Sequence, residues 1–287
     1  HSEHRLYGYA SNRRILGNDG KVRGMRFSRC ADESLKDEPV GTIDPMFRTV
    51  AYRSTKGEML GSMTFYATHP QVSNGREMYS ADAQGEAMRR VEEKSPDGLH
   101  AYFSGAFGNV TAGKYSSPTD LEGNIRVFGE RLAAGITHNL NAMSWADPGE
   151  LHWVSSEFPF PREALDTDSI RRTILDKNSP KGKRMIQAAI LSSFEYGKNA
   201  NYPVHMLRIG PCRILFLSGE PFVEYQLYIQ SLLPDEFIAV VANCNDNFLY
   251  LPLAENFPEE GYEVTSFRWC TPEFEPRFKE HLSQLLK

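Results

Sequence analysis

Met59-Leu-Gly-Ser-Met-Thr-Phe-Tyr-Ala-Thr-His69-Pro70 is the run from which the rest of the chain is best read. Apolar and polar residues alternate along it with the two-residue period of a half-buried strand, and the strand delivers an imidazole to its carboxyl end. Before it, Phe47 to Tyr52 reads as a second strand, and a Lys56-Gly57 turn joins the two as a hairpin. After it come Ser80-Ala-Asp82 and the glycine-rich turn Gly105-Ala-Phe-Gly-Asn-Val-Thr111, which follows a short apolar strand at Ala101 to Phe103. An imidazole at a strand end, followed by a carboxylate and a small hydroxyl-bearing turn, suits a metal-assisted hydrolase. On its own, His69 reads equally well as a satisfied loop histidine.

Elsewhere strands and helices alternate. Residues up to about 40 read as irregular, with a turn at Asn18-Asp-Gly20. Ala83 to Glu93 has helical composition, and Asn124 to Leu140 places Ile125, Phe128, Leu132, Ile136 and Leu140 on one face, with Asn124 as its cap. Leu151 to Ser156 alternates as a strand, whereas the proline- and charge-rich stretch from Glu157 to Asn178 reads as a long surface excursion. A helix is predicted over Arg184 to Phe194. A hairpin follows, Val204 to Ile209 and Arg213 to Leu217, around Gly210-Pro211. Next come a helix over Phe222 to Leu233, an apolar strand at Phe237 to Ala242 before polar Asn243 to Asn247, and an amphipathic helix over Pro272 to Leu286. This order predicts an α/β fold with mixed β-sheets flanked by helices. No Pro/Ser-rich linker divides the chain, so residues 1–287 are expected to form a single domain.

A chain of 287 residues is long enough to bury a substantial core, and 40% hydrophobic with 24% charged residues is globular composition. The net charge of −5, with dispersed Lys and Arg, gives no electrostatic footprint for nucleic acid. No apolar run approaches the ~20 residues of a membrane span. Cys30, Cys212, Cys244 and Cys270 lack Cys-x-x-Cys spacing, which excludes a zinc ribbon and leaves disulfides open. His1-Ser-Glu-His-Arg5 is not a signal peptide, and the chain reads as the later part of a longer protein.

Three polar residues follow predicted strands, where open α/β sheets place their chemistry. They are His69, Glu220 in Leu217-Ser-Gly-Glu-Pro-Phe222, and Tyr250 in Phe248-Leu-Tyr-Leu-Pro252. Taken singly, Glu220 also reads as a helix-start acid favoured by the macrodipole, and Tyr250 as a half-buried loop aromatic. Together with Asn12-Arg-Arg14, Ile43-Asp-Pro45, Ala67-Thr-His-Pro70, Ser80-Ala-Asp82, Phe107-Gly-Asn-Val-Thr111 and Gly219-Glu-Pro221, they make the chain resemble the neutral (non-lysosomal) ceramidases and their bacterial relatives. The resemblance runs over most of the chain.

That resemblance implies a zinc-dependent hydrolase that cleaves the amide bond of an N-acylated lipid such as ceramide. It implies an extracellular or periplasmic location and peripheral contact with a membrane. It assigns His69, Glu220 and Tyr250 as Zn2+ ligands, Arg13 as the substrate-binding arginine, and Thr111 to the position of a catalytic serine. Around these, Asp82 is expected to orient His69, or else to cap the helix at Ala83. Asn109 and the backbone N–H groups of Gly108 to Thr111 are expected to stabilise an oxyanion. The family's first zinc histidine lies in a Thr-His-Thr-His-Ser-like segment well before the Asn-Arg pair, and this chain has no such segment. That ligand therefore belongs to an N-terminal remainder of the same protein, or the metal site is incomplete. Thr111-Ala112 also replaces Ser-Pro, which leaves open a different amide or ester substrate, or a non-catalytic binding protein. A thiolate contribution from Cys244 is a further option.

Overall fold

Both edges of the strand before His69 are paired, so it is an interior strand. The computed structural model describes residues 1–75, 79–197, 201–245 and 248–287. In chain order its elements begin with β1 (Ser2–Arg5), β2 (Ser11–Asn12), β3 (Arg14–Leu16), β4 (Val22–Met25), α1 (Glu33–Asp37), β5 (Met46–Arg53) and β6 (Met59–Tyr66). There follow α2 (Asp82–Glu92), β7 (Leu99–Ser104), β8 (Val110–Thr111), α3 (Leu121–Asn141), β9 (Leu151–Pro159), α4 (Thr167–Leu175) and α5 (Lys181–Gly197). The last part holds β10 (Asn201–Ile209), β11 (Cys212–Leu217), β12 (Glu220–Pro221), α6 (Val223–Leu232), β13 (Phe237–Val241), β14 (Tyr250–Leu251), α7 (Tyr262–Thr265) and α8 (Phe274–Leu285).

Two four-stranded mixed sheets form the frame, in the orders β1-β5-β6-β7 and β13-β11-β10-β9. In the first, β5 and β6 are the expected antiparallel hairpin and β7 joins β6 in parallel. In the second, β10 and β11 are a hairpin and β13 joins β11 in parallel. Each sheet thus repeats one plan, a hairpin followed by a helical crossover to a parallel neighbour.

The alternation along these strands sends side chains to two different apolar layers. Val50 and Phe65 from the first sheet meet Cys212, Ile214, Phe237, Ala239 and Val241 from the second, so the sheets pack face to face. The outer face of the first sheet carries Phe47 and Tyr66, covered by Ala83, Ala87, Phe128, Leu132 and Ile136 of α2 and α3. The outer face of the second carries Val204, Met206, Leu215 and Val240, covered by Tyr225, Ile229, Phe274, Phe278 and Leu282 of α6 and α8. The result is a four-layer α/β/β/α arrangement. Its outer cores are rich in buried aromatics, each of which removes about 150–250 Å² from water.

Several sequence expectations change. The first 40 residues are not irregular: β1 completes the first sheet against β5, and β3 pairs with β4. Asn124 lies inside α3, whose cap is Asp120 accepting from the Gly123 amide; the Asn124 side chain instead ties Val72 and Ser117 to the helix. The stretch from Glu157 to Asn178 is no plain excursion, since it contains the end of β9 and all of α4. In α8, the His281 ring packs on Phe158 at 5.1 Å, and burial pushes its pKa down. The four cysteines are free thiols. Of the polar stretch Asn243 to Asn247, the last two residues lie outside the described residues. Among the described residues, no helix is long and apolar enough to cross a membrane.

Candidate active site

The ends of β6, β7, β11 and β13 meet at one edge of the two sheets, and short backbone bridges there fix the turns that follow. The Gly105 amide bonds to Tyr66 O, and the Ala242 amide to Ser104 O, so the two sheets are stitched where their parallel strands finish. Gly108 donates to Pro221 O at 2.9 Å, and a Cβ on Gly108 would lie 2.3 Å from the Glu220 carbonyl oxygen. Only glycine lets the Gly105–Thr111 turn approach the Glu220 strand this closely. Gly219 takes φ +68°, which turns the chain sharply out of β11 and sets Glu220 at the start of β12.

Glu220 and Tyr250 are then placed by register. β12 and β14 are a two-residue parallel bridge in which Glu220 stands opposite Tyr250, closed by Glu220 N to Leu249 O at 2.8 Å. His69 comes from the other sheet. Its backbone N–H and its ring Nδ1 both meet the Val110 carbonyl oxygen, at 3.0 and 2.9 Å. A carbonyl only accepts, so Nδ1 carries the hydrogen and Nε2 is the nitrogen turned to the site. Nε2 lies 3.1 Å from Glu220 Oε2. A lone pair facing a carboxylate oxygen is tolerated only with a cation between the two, or with a proton on Nε2. The ring is 2% exposed and packs edge-on against Phe107 at 4.6 Å. The Tyr250 ring lies 6.4 Å from it, centroid to centroid.

Behind Tyr250 stands a buried network of charge. The Arg13 guanidinium carbon lies 4.9 Å from the Tyr250 ring centroid. Its Nε donates to Glu263 Oε1 at 2.7 Å, and Arg14 Nη1 donates to Glu263 Oε2 at 2.9 Å. Glu263 is 0% exposed and so takes both its charge partners from the Asn12-Arg-Arg14 segment. Burial opposes the Arg13 charge, but Glu263 and Tyr250 more than restore it and leave its pKa above the ordinary value. Burial also pushes the Tyr250 phenol up, against the pull of Arg13. Among the described residues, the buried Arg13 Nη2 has no hydrogen-bond partner.

The remaining predicted residues have hydrogen-bond partners within the scaffold. Asp82, in a left-handed conformation at φ 54°, accepts from the amides of Val72, Ser73 and Ala83. It therefore anchors the turn after His69-Pro70, and the role of orienting His69 belongs to the Val110 carbonyl. Asn109 accepts from the Val223 amide and donates to Glu224. Burial raises the Glu224 pKa, with the Asn109 bond pulling the other way. Thr111 Oγ1 donates to Arg26 O at 2.7 Å and accepts from Gly113 N, which leaves its hydroxyl engaged within the scaffold. Gly108 N and Val110 N are likewise bonded to backbone carbonyls, so they are not the free donors of an oxyanion hole. Cys244 makes only long contacts to the carbonyls of Val241 and Ala242, and burial pushes its thiol up to about 11. Residues given no role from the sequence complete the site: Arg14, Phe107 and the Val110 carbonyl, which lie within quoted motifs, and Glu263, which does not.

Among the described residues, no three His, Cys, Asp or Glu are placed to hold a metal ion. The 3.1 Å between His69 Nε2 and Glu220 Oε2 fits a pair of zinc ligands, because tetrahedral ligands at 2.0–2.2 Å from zinc stand about 3.3 Å apart. No family model matches the chain, and no curated protein matches it by sequence. Solved structures do. The neutral ceramidase from Pseudomonas aeruginosa superposes with a TM-score of 0.66 at 17% identity, over 98% of this chain and 50% of its own length. A ceramidase complexed with C2 gives 0.68 at 16% identity, over 98% and 52%.

The fold is that of the neutral ceramidases. The chain spans about half the length of the ceramidases it superposes on. Within that ceramidase-like frame, His69, Glu220 and Tyr250 lie where four strand ends converge.

Proposed function

We propose that the protein is a zinc-dependent amidohydrolase, acting outside the cytoplasm on the amide bond of an N-acylated lipid such as ceramide. One observation carries this: His69, with its Nδ1 bonded to Val110 O, turns Nε2 toward Glu220 Oε2 at 3.1 Å, with Tyr250 held alongside by strand register. His69, Glu220 and Tyr250 would hold the metal, together with a ligand from a preceding part of the protein. Zinc in such a site supplies Lewis acidity and lowers the pKa of a bound water toward about 7.

The chain's own residues do the rest. The Val110 carbonyl accepts from Nδ1 and so aims Nε2 of the imidazole at the site. The Arg13 guanidinium, pinned by Glu263, keeps one unsatisfied N–H for a substrate oxygen. Tyr250, set opposite Glu220 by the strand register, presents its phenol to the same point. A second reading has its own support. Because Thr111 Oγ1 is already committed to Arg26 O, the hydroxyl turn differs from that of a serine free to act, which favours another amide or ester on the same scaffold.

Metal analysis and a substrate panel on the full-length protein test both. The first reading requires stoichiometric zinc and release of fatty acid from ceramide, with zinc lost from a folded His69→Ala variant. Turnover of other amides or esters in preference to ceramide establishes the second. Unchanged zinc content in His69→Ala overturns the ligand assignment, and a folded protein inert on every substrate is a binding protein.

A further inference from the structure

The helical hairpin α4–α5 stands apart from the rest of the surface in charge. Between residues 171 and 186 it carries six basic residues, Arg171, Arg172, Lys177, Lys181, Lys183 and Arg184, against one acid, Asp176, in a chain whose net charge is −5. Arg171 pairs with Glu195, and Arg184 Nε holds the Ile174 carbonyl, which closes the tip of the hairpin. The exposed Arg172, Lys177, Lys181 and Lys183 are not drawn into the fold in this way.

The same tip is also apolar. Leu175 is 77% exposed and Met185 63%, with Ile186 at 45%, and α4 has no buried residue along its length. Lone exposed apolar side chains need no explanation, but three at one tip within a polybasic segment form a surface of mixed character. The base of the hairpin, by contrast, is fixed. Phe194 packs on Trp269 at 5.8 Å, and Ile190 joins the same core. The neighbouring Arg268 bridges to Leu249 and Tyr250, so the anchor of the hairpin is continuous with a strand that builds the candidate site.

We propose that the α4–α5 tip docks the protein on an anionic lipid surface, its lysines at the headgroups and Leu175, Met185 and Ile186 at the acyl boundary. Charge complementarity selects this occupant. A neutral apolar partner would leave the exposed lysines desolvated, whereas an anionic bilayer satisfies both parts of the patch. The inference deepens the reading of the site as one acting on a membrane lipid, but the binding itself does not require that reading to hold.

Sedimentation with vesicles of phosphatidylcholine containing about one third phosphatidylglycerol, and with phosphatidylcholine alone, tests it in the absence of any ceramide. Binding to the anionic vesicles alone, abolished by high salt, is expected, and it should weaken about tenfold or more when three surface lysines are reversed. The triple variant is Lys177→Glu, Lys181→Glu and Lys183→Glu; Leu175→Ser with Met185→Ser should also weaken binding while leaving its salt dependence in place. Both sets lie on the surface, and an unchanged melting curve confirms that they fold. Equal binding by wild type and both variants overturns the proposal, as does absence of vesicle binding. So does equal competition by a soluble polyanion such as heparin against the apolar double variant and the wild type. Vesicle binding without ceramide turnover would reject the substrate and keep the docking surface.

Discussion

The parallel pair β6–β7 carries a buried histidine at each end, and the two are used differently. His100, at the amino end, is 5% exposed; its Nδ1 lies 2.8 Å from Ser62 Oγ, its register partner on β6, and its Nε2 has no partner. His69, past the carboxyl end, is 2% exposed, yet both its nitrogens are engaged by groups remote in sequence. Burial does not separate a structural histidine from a site histidine here. What separates them is the end of the sheet they occupy. At the carboxyl ends the chain turns, and turns bring Val110, Glu220 and Tyr250 together, whereas at the amino end the His100 side chain bonds to Ser62 of the neighbouring strand. The carboxyl end is held by buried charge and the amino end by neutral hydrogen bonds.

The largest test of that contrast is Glu263→Ala. Removing the carboxylate strips Arg13 and Arg14 of a buried partner and should cost about 3–5 kcal/mol in urea unfolding. A loss below about 1 kcal/mol would mean that hydration replaces the pair and that buried charge does not hold this end. Next in size, His69→Ala should lower amide hydrolysis more than ~100-fold, beyond the range of orienting residues, whereas His100→Ala should leave turnover intact and reduce stability. Similar activity losses in the two variants would erase the distinction between the ends.

Thr111 sharpens the contrast at smaller scale. Thr111→Val leaves the Arg26 carbonyl and Gly113 amide without their shared hydroxyl, at about 1–3 kcal/mol, while Thr111→Ser should be close to neutral. A large gain of activity in Thr111→Ser would make the hydroxyl a catalytic group after all. The smallest effect is on pH dependence. Burial pushes the His100 pKa down. Its contribution to stability is whole above about pH 6.5, where both states are neutral, and is lost as pH falls toward the depressed folded value, because the unfolded chain binds the proton first. In His100→Gln the stability curve below pH 6.5 should flatten, leaving the slope due to His281. An unaltered curve would assign the acid sensitivity elsewhere.

The frame was legible where burial is one-sided. The β5–β6 and β10–β11 hairpins, α3 and α8 all show their periods plainly, because each packs one face on an apolar layer. β1 was invisible: four residues of Ser-Glu-His-Arg carry no apolar pattern, and only pairing with β5 makes them a strand. α4 was hidden in the same way, since a helix with no buried residue has no apolar face to read. In the site, the convergence of His69, Glu220 and Tyr250 followed from their positions after strands. The parts that misled were polar side chains with backbone partners. Asp82 takes three nearby amides, Thr111 takes the Arg26 carbonyl, and nothing in spacing distinguishes such scaffold bonds from catalytic ones. Glu263 had no local signal, because its meaning depends on Arg13, 250 residues away.

That span has a consequence for synthesis. Arg13 leaves the ribosome long before Glu263, and at 5–20 residues per second the wait is roughly 12–50 s. His69 likewise precedes Glu220 by 151 residues. Through that interval the first sheet can form its hairpin, but its carboxyl end holds an arginine and an imidazole with no counter-charge. The buried charge network around Arg13 therefore closes only once translation has passed residue 263.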